Sequence, residues 1–113
     1  MVDVPTFADL TGAARRIAPF AVKTPMVESP ILSAENGGRV FLKLESLQRT
    51  GSFKFRGAAN RILLIPEEAR QAGVVAFSSG NHAQAVAAMA KLLDIPALIV
   101  MPGDAPKAKI EGT

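Results

Sequence analysis

Val74-Val-Ala-Phe-Ser-Ser-Gly-Asn-His-Ala-Gln-Ala-Val-Ala-Ala-Met-Ala-Lys-Leu-Leu-Asp-Ile-Pro-Ala-Leu-Ile-Val-Met101 carries the pattern that decides the fold. Val74 to Phe77 is a short apolar run of strand type, expected to be buried on both faces. Ser78 to Asn81 is a polar turn. Ala83, Val86, Ala87, Ala90 and Leu93 then recur on one face of a helix. After Asp94 a second buried strand is expected from Ile95 to Met101, and Pro102-Gly103-Asp104 ends it. A further helix begins at Ala105. Strand, turn, helix, strand is a right-handed βαβ unit, so the class is α/β, a parallel sheet in a three-layer arrangement. The last helix is short. A parallel sheet whose covering helices are unfinished exposes apolar surface, so the chain is expected to be incomplete or to need a partner.

Upstream, Phe55, Ala58, Ala59, Ile62 and Leu63 form another helical stripe, with Ser52 as its expected N-cap. Pro66 to Gly73 reads as a short helical turn closed by glycine. Before these, Arg39 to Ser46 alternates Val40, Leu42 and Leu44 with Phe41, Lys43 and Glu45, the period of a strand. Asn36-Gly37-Gly38 is a turn. Pro19, Pro25 and Pro30 keep the preceding stretch irregular or extended. Thr6 is placed to cap a first helix reaching about Ile17, with Phe7, Leu10, Ala14 and Ile17 near one face. There is no internal repeat and no low-complexity linker.

Composition narrows the function classes. With 113 residues, 49% hydrophobic and 20% charged, the chain has a globular balance sized for one ordinary domain. Its core must be aliphatic, since it has no Trp or Tyr and only six Phe. The net charge of +3 is spread out; Arg15-Arg16 and Lys107-Ala-Lys109 read as solvated surface charge, without the density or aromatic interleaving of a nucleic-acid patch. Without cysteine there is no disulfide or thiolate metal site, and the single histidine, His82, builds no metal cluster. The four Met are expected to fill core or surface. Met1-Val-Asp-Val-Pro-Thr6 does not read as a signal peptide, and no apolar run spans a membrane. A soluble cytoplasmic protein, with no nucleic-acid or membrane partner, is the expectation.

Two stretches hold candidate chemistry. In Gln48-Arg-Thr-Gly-Ser-Phe-Lys-Phe-Arg-Gly-Ala58, Lys54 falls in the first turn of the striped helix. A free lysine has a pKa of about 10.4, and acting as a base at neutral pH needs that lowered by about three units, roughly 4 kcal/mol. The helix N-terminus supplies about 0.3–1 kcal/mol. Burial beside Phe53, Phe55 and Ala58 is the candidate source of the remainder. The competing reading is an ordinary lysine reaching to solvent over apolar surface. The second stretch, Ser78-Ser79-Gly80-Asn81-His82, lies at the carboxyl end of a strand, where open α/β sheets bind ligands. Its free backbone N–H groups favour a carboxylate or phosphate, and Gly80 permits close approach. A plain Ser or Asn N-cap is the alternative. For His82, a structural helix-start residue is weighed against a catalyst. No G-x-G-x-x-G and no Walker lysine occur.

Taken together, Ser52-Phe53-Lys54-Phe55-Arg56-Gly57-Ala58 and Ser78-Ser79-Gly80-Asn81-His82 resemble the threonine dehydratase and serine racemase branch of fold type II pyridoxal-phosphate (PLP) enzymes. Lys43 to Thr50 and Ile99 to Pro106 resemble the same branch. The resemblance implies that Lys54 carries PLP as a Schiff base and moves the Cα proton. It implies that Phe53 packs on the pyridine ring and that Asn81 bonds the cofactor 3-hydroxyl. Ser78, Ser79, Gly80, Asn81 and His82 would hold the substrate carboxylate, with Ser79 the proton donor on the opposite face in racemising members. The implied reaction converts a small hydroxyamino acid to a 2-oxo acid and ammonia. Serine racemase, 3-hydroxyaspartate dehydratase and an inactive fragment are the alternatives. Residues 1–50 would begin the large PLP domain and residues 51–113 would form a truncated small domain, most of it present. The family's glycine-rich phosphate loop has no counterpart in this sequence, and neither does any site for the divalent cation that longer members take. A homo-oligomer, a dimer, is expected. A stand-alone anion-binding module is the reading from a different class.

Overall fold

The computed structural model describes residues 3–113; Met1 and Val2, part of the stretch read for a signal peptide, lie outside them. Helix α1 (Phe7–Ile17) starts as expected at Thr6, which forms a reciprocal capping box with Asp9. The Asp9 N–H donates to Thr6 Oγ1 at 3.2 Å and the Thr6 N–H to Asp9 Oδ2 at 2.7 Å. Only Ile17 of its apolar stripe is buried; Phe7 and Leu10 are exposed.

The stretch expected to be irregular after Pro19 contains two elements. Strand β1 (Met26–Glu28) pairs antiparallel with β2 (Phe41–Lys43), which is shorter than the strand expected over 39–46. Between them α2 (Pro30–Asn36) has Ser29 as N-cap, its Oγ accepting from the Leu32 N–H, and Pro30 at its first position. Proline is tolerated there because that N–H has no helical partner anyway. Two single 3₁₀ turns, Glu45–Leu47 and Arg49–Gly51, lead to α3 (Lys54–Leu63). Ser52 does not cap α3. The helix begins one residue after Phe53, and the Ser52 hydroxyl is buried without a partner.

A 3₁₀ turn (Glu67–Ala72) closes, as expected, on Gly73, whose φ of 84° suits glycine. Strand β3 (Val74–Phe77), helix α4 (Asn81–Leu92) and strand β4 (Ala97–Val100) form the βαβ unit, with β3 and β4 parallel and Val75 opposite Leu98. Helix α5 (Lys107–Glu111) follows β4. The core lies between α3, α4 and one sheet face: Phe55, Ala58, Ala59 and Ile62 meet Ala85, Val86, Met89 and Ala90, joined by Ile17 and Ile95. Val74, Ala76 and Ile99 line the inner side of the sheet against it. Among the expected α4 positions, Ala83, Val86 and Ala90 are buried while Ala87 and Leu93 are half-buried.

The two strands are not buried on both faces. Val75 is 75% and Phe77 85% exposed, and the neighbouring Leu98 and Val100 are 61% and 55% exposed. Side chains two apart share a face, so these four make one bare apolar face. Their apolar character therefore does not report burial within this chain. It matches the expected incomplete sheet: among the described residues, helices cover one face only. The radius of gyration, 16.5 Å, also exceeds the about 13 Å of a compact domain of this length.

Candidate active site

Lys54 is the first residue of α3, so its backbone N–H is among the orphan donors of the helix end. The side chain is exposed. Its Nζ lies 5.4 Å from the centroid of the Phe53 ring, itself 60% exposed. Of the two readings, the lysine reaching to solvent holds, and desolvation by Phe55 and Ala58 does not occur. These two side chains turn into the helix–helix core, and Phe55 is fully buried there. Helical geometry separates adjacent residues by about 100°, which sends Lys54 and Phe55 in different directions. Among the described residues Lys54 takes part in no ion pair.

The backbone on either side of Lys54 is held firmly. Gln48 is buried, and its amide pairs with Val22 in both directions: Val22 N–H donates to Gln48 Oε1 and Gln48 Nε2 donates to Val22 O, each at 2.9 Å. Arg49 Nε donates to Phe20 O at 2.6 Å. Thr50 and Gly51 are both left-handed, at φ 62° and 69°. Two residues beyond Lys54, Arg56 grips Glu45 with two parallel bonds, Nε to Oε2 and Nη2 to Oε1, both 2.8 Å. Thr24 Oγ1 donates to the same Oε1 at 2.6 Å. Arg56 beside Glu45, helped by Thr24, holds that carboxyl down at about 2 against the opposing effect of burial, and Glu45 in turn raises Arg56. This network was missed in the sequence. The only signal was a charged pair eleven residues apart.

At the other stretch, Ser78 N–H donates to Val100 O at 3.0 Å, which ties the loop to the end of β4. Ser78 Oγ accepts from Gly80 N–H at 3.1 Å. Neither Ser nor Asn caps α4: Gly80 holds the cap position and no side chain accepts there. The first-turn N–H groups are thus left for another acceptor. A Cβ at Gly80 would meet nothing within 4 Å, so a ligand can approach this backbone closely. Ser79, Asn81 and His82 are exposed. Asn81 Oδ1 accepts from Lys109 Nζ at 2.7 Å, and the same ammonium donates to Gln84 Oε1 at 3.1 Å. Lys109 therefore places a positive charge at the start of α4, the position an anion site wants. Read from sequence as solvated charge, it has a specific role in the structure. His82 takes part in neither of these bonds. It lines a cleft of about 330 Å³ with Gly57, Ala58, Arg61, Val74 and Val86, and Lys54 is not on that lining. Among the described residues, no three His, Asp or Glu side chains converge as a metal site would require, and no helix is long and apolar enough to cross a membrane.

The family profile described as "Pyridoxal-phosphate dependent enzyme" matches residues 17–113. An L-threo-3-hydroxyaspartate ammonia-lyase of Pseudomonas sp is 56% identical over 108 residues, covering 96% of this chain and 34% of that protein. The catabolic L-threonine dehydratase TdcB of Staphylococcus aureus is 50% identical over 109 residues, covering 96% and 32%. The solved structure of maize serine racemase superposes with a TM-score of 0.85 at 47% identity, over 91% of this chain and 31% of that one. The chain spans about a third of the length of these relatives. A βαβ unit with a lysine at the first position of a packed helix, matched along nearly its whole length by these proteins, places the chain in the pyridoxal-phosphate dependent enzyme family.

Proposed function

We propose that this chain is the lysine-bearing part of a PLP-dependent ammonia-lyase of the threonine/serine dehydratase type, acting on a small hydroxyamino acid. One observation carries the reading. Lys54 stands at the first position of α3, its amine in no ion pair and beside the face of Phe53, while the backbone on both sides is anchored. A primary amine, an aromatic face, an amide at Asn81 and open backbone at Gly80 fit the aldehyde and ring of PLP. The cofactor's phosphate finds no glycine-rich cradle in this sequence, whose longest glycine run is Gly37-Gly38.

When bound, PLP withdraws electrons from the amino acid's Cα, so that its proton becomes removable. Lys54 would hold the cofactor through its ε-amine and, once the substrate's amino group has displaced it, would take the Cα proton on that freed amine, the proton and the β-hydroxyl being lost together as water. Phe53 shields one face from water. The N–H groups at the start of α4, with Lys109 behind Asn81, hold the substrate carboxylate. Asn81 would orient the cofactor ring, and Ser79 would act on the face opposite Lys54, where a racemase needs its second proton donor. The hydroxyaspartate ammonia-lyase likeness supports 3-hydroxyaspartate as a second substrate reading, and the serine racemase likeness supports racemisation of serine. The same proposal divides the parent protein at residues 50/51, makes it a homodimer and puts it in the cytoplasm.

The test is the absorbance of the purified chain with PLP, before and after borohydride, beside Lys54→Ala. A near-visible band fixed covalently at Lys54 and absent from the variant is expected. Covalent capture at another lysine overturns the assignment. A panel of threonine, serine and 3-hydroxyaspartate then separates the substrates.

A further inference from the structure

Lys54 is bracketed. Upstream, Gln48 and Arg49 are tied to Val22 and Phe20; downstream, Arg56 is tied to Val22 O at 3.1 Å and to Glu45. Both anchors thus end on one short stretch, residues 20–24. Glu45 also binds that stretch through Thr24, which is buried, and Lys43 Nζ donates to Thr24 O at 2.5 Å. Between the anchors, Thr50 and Gly51 make two consecutive left-handed residues. A β-branched residue adopts that conformation only where its surroundings impose it. Phe53 and Lys54 themselves are exposed, and Lys54 Nζ makes no hydrogen bond to a described residue. The arrangement fixes the backbone of the lysine while leaving its amine unengaged.

We propose that Glu45 and Arg56 are positioning residues for Lys54: their paired bonds set the rotation of the first turn of α3, and through it where the amine is presented. This rests on the assignment of Lys54 as the cofactor lysine and deepens it. A misplacement of about 1 Å at a reacting group costs about a hundred-fold in rate. Acylation by a small reagent from solution needs no such orientation.

The experiment uses the full chain and its variants Glu45→Gln, Arg56→Lys and Thr24→Val. Exposed Arg39→Gln, which removes the Glu28 pair, serves as control. Two quantities are read at Lys54 by mass spectrometry: PLP captured by borohydride, and acetylation by trace acetic anhydride. Circular dichroism confirms which variants are folded. In folded Glu45→Gln and Arg56→Lys, PLP capture is expected to fall by about ten-fold to a hundred-fold, with acetylation changed less than two- to three-fold. Thr24→Val is expected to show a smaller loss in the same direction, and keeps the test decisive if a charge variant does not fold. Unchanged capture in the folded variants, or an equal fall in capture and acetylation, overturns the proposal. Capture at a lysine other than Lys54 in the unsubstituted chain would instead remove the assignment on which it rests.

Discussion

Glu45 concentrates the electrostatics of the molecule in one carboxyl group. Its pKa lies at about 2 in the folded chain, held there first by Arg56, against an ordinary value of 4.5. A depressed carboxyl contributes stability that is present above its unfolded pKa and disappears as pH falls through the folded one. The window therefore runs from about pH 4.5 down to about 2, and the stability at stake is on the order of 3 kcal/mol. Urea titrations at a series of pH values should show that slope in the unsubstituted chain, and Glu45→Gln should flatten it. At neutral pH the same substitution leaves Arg56 with its charge partly buried and unpaired, so it should also destabilise. Gly73 is a second sensitive position. With φ at 84°, ψ at −177° and the place of a Cβ only 2.8 Å from Pro96 O, Gly73→Ala should cost about 1–3 kcal/mol in the same assay. Lys54 was legible from its place in a helix start, because local pattern determines that. Its exposure was one of two readings open in the sequence, and local pattern could not choose between them, because which neighbours turn inward depends on where α4 lies. Thr24, Glu45 and Arg56 meet only after the chain has folded back twice, and no periodicity announces such a meeting.

Helices α3 and α4 meet along a seam of small residues, Ala58, Ala59, Ala85 and Ala90, with Phe55 and Met89 as its two large, fully buried side chains. Small residues let the backbones approach, and the two large ones fill what remains. Met89→Ala should therefore cost about 2–5 kcal/mol and Phe55→Ala about 3–5 kcal/mol. Chemical denaturation followed by far-UV dichroism measures both. Conversely, Ala59→Leu should cost about 1–3 kcal/mol by overpacking. The α3 stripe at 3.6-residue spacing matches this seam, and α4 was readable as a helix although its buried Ala85 and Met89 lay outside the stripe expected for it. Helix α2 was hidden by the prolines around it. Ser29 followed by Pro30 is in fact a helix start, and only the preceding extended run disguised it.

The bare sheet face is a property of the whole molecule. Val75, Phe77, Leu98 and Val100 show apolar surface on one side, while the opposite side is packed. Such a face attracts apolar dyes and promotes association. Val75→Thr with Phe77→Ser should lower anilinonaphthalene-sulfonate fluorescence and light scattering without loss of helix content. The apolar strands were legible in the sequence. Which of their faces is covered was not, since an apolar side chain records an environment that need not be supplied by the same 113 residues. The calorimeter should register the same one-sidedness. The heat-capacity increment of unfolding comes from apolar surface newly wetted, and side chains already wet in the native state contribute none of it. The increment should thus fall below the roughly 12–15 cal/mol/K per residue usual for globular domains. The free-energy curve against temperature would then be a shallow arc, with its maximum set low and its loss of stability on heating spread over many degrees.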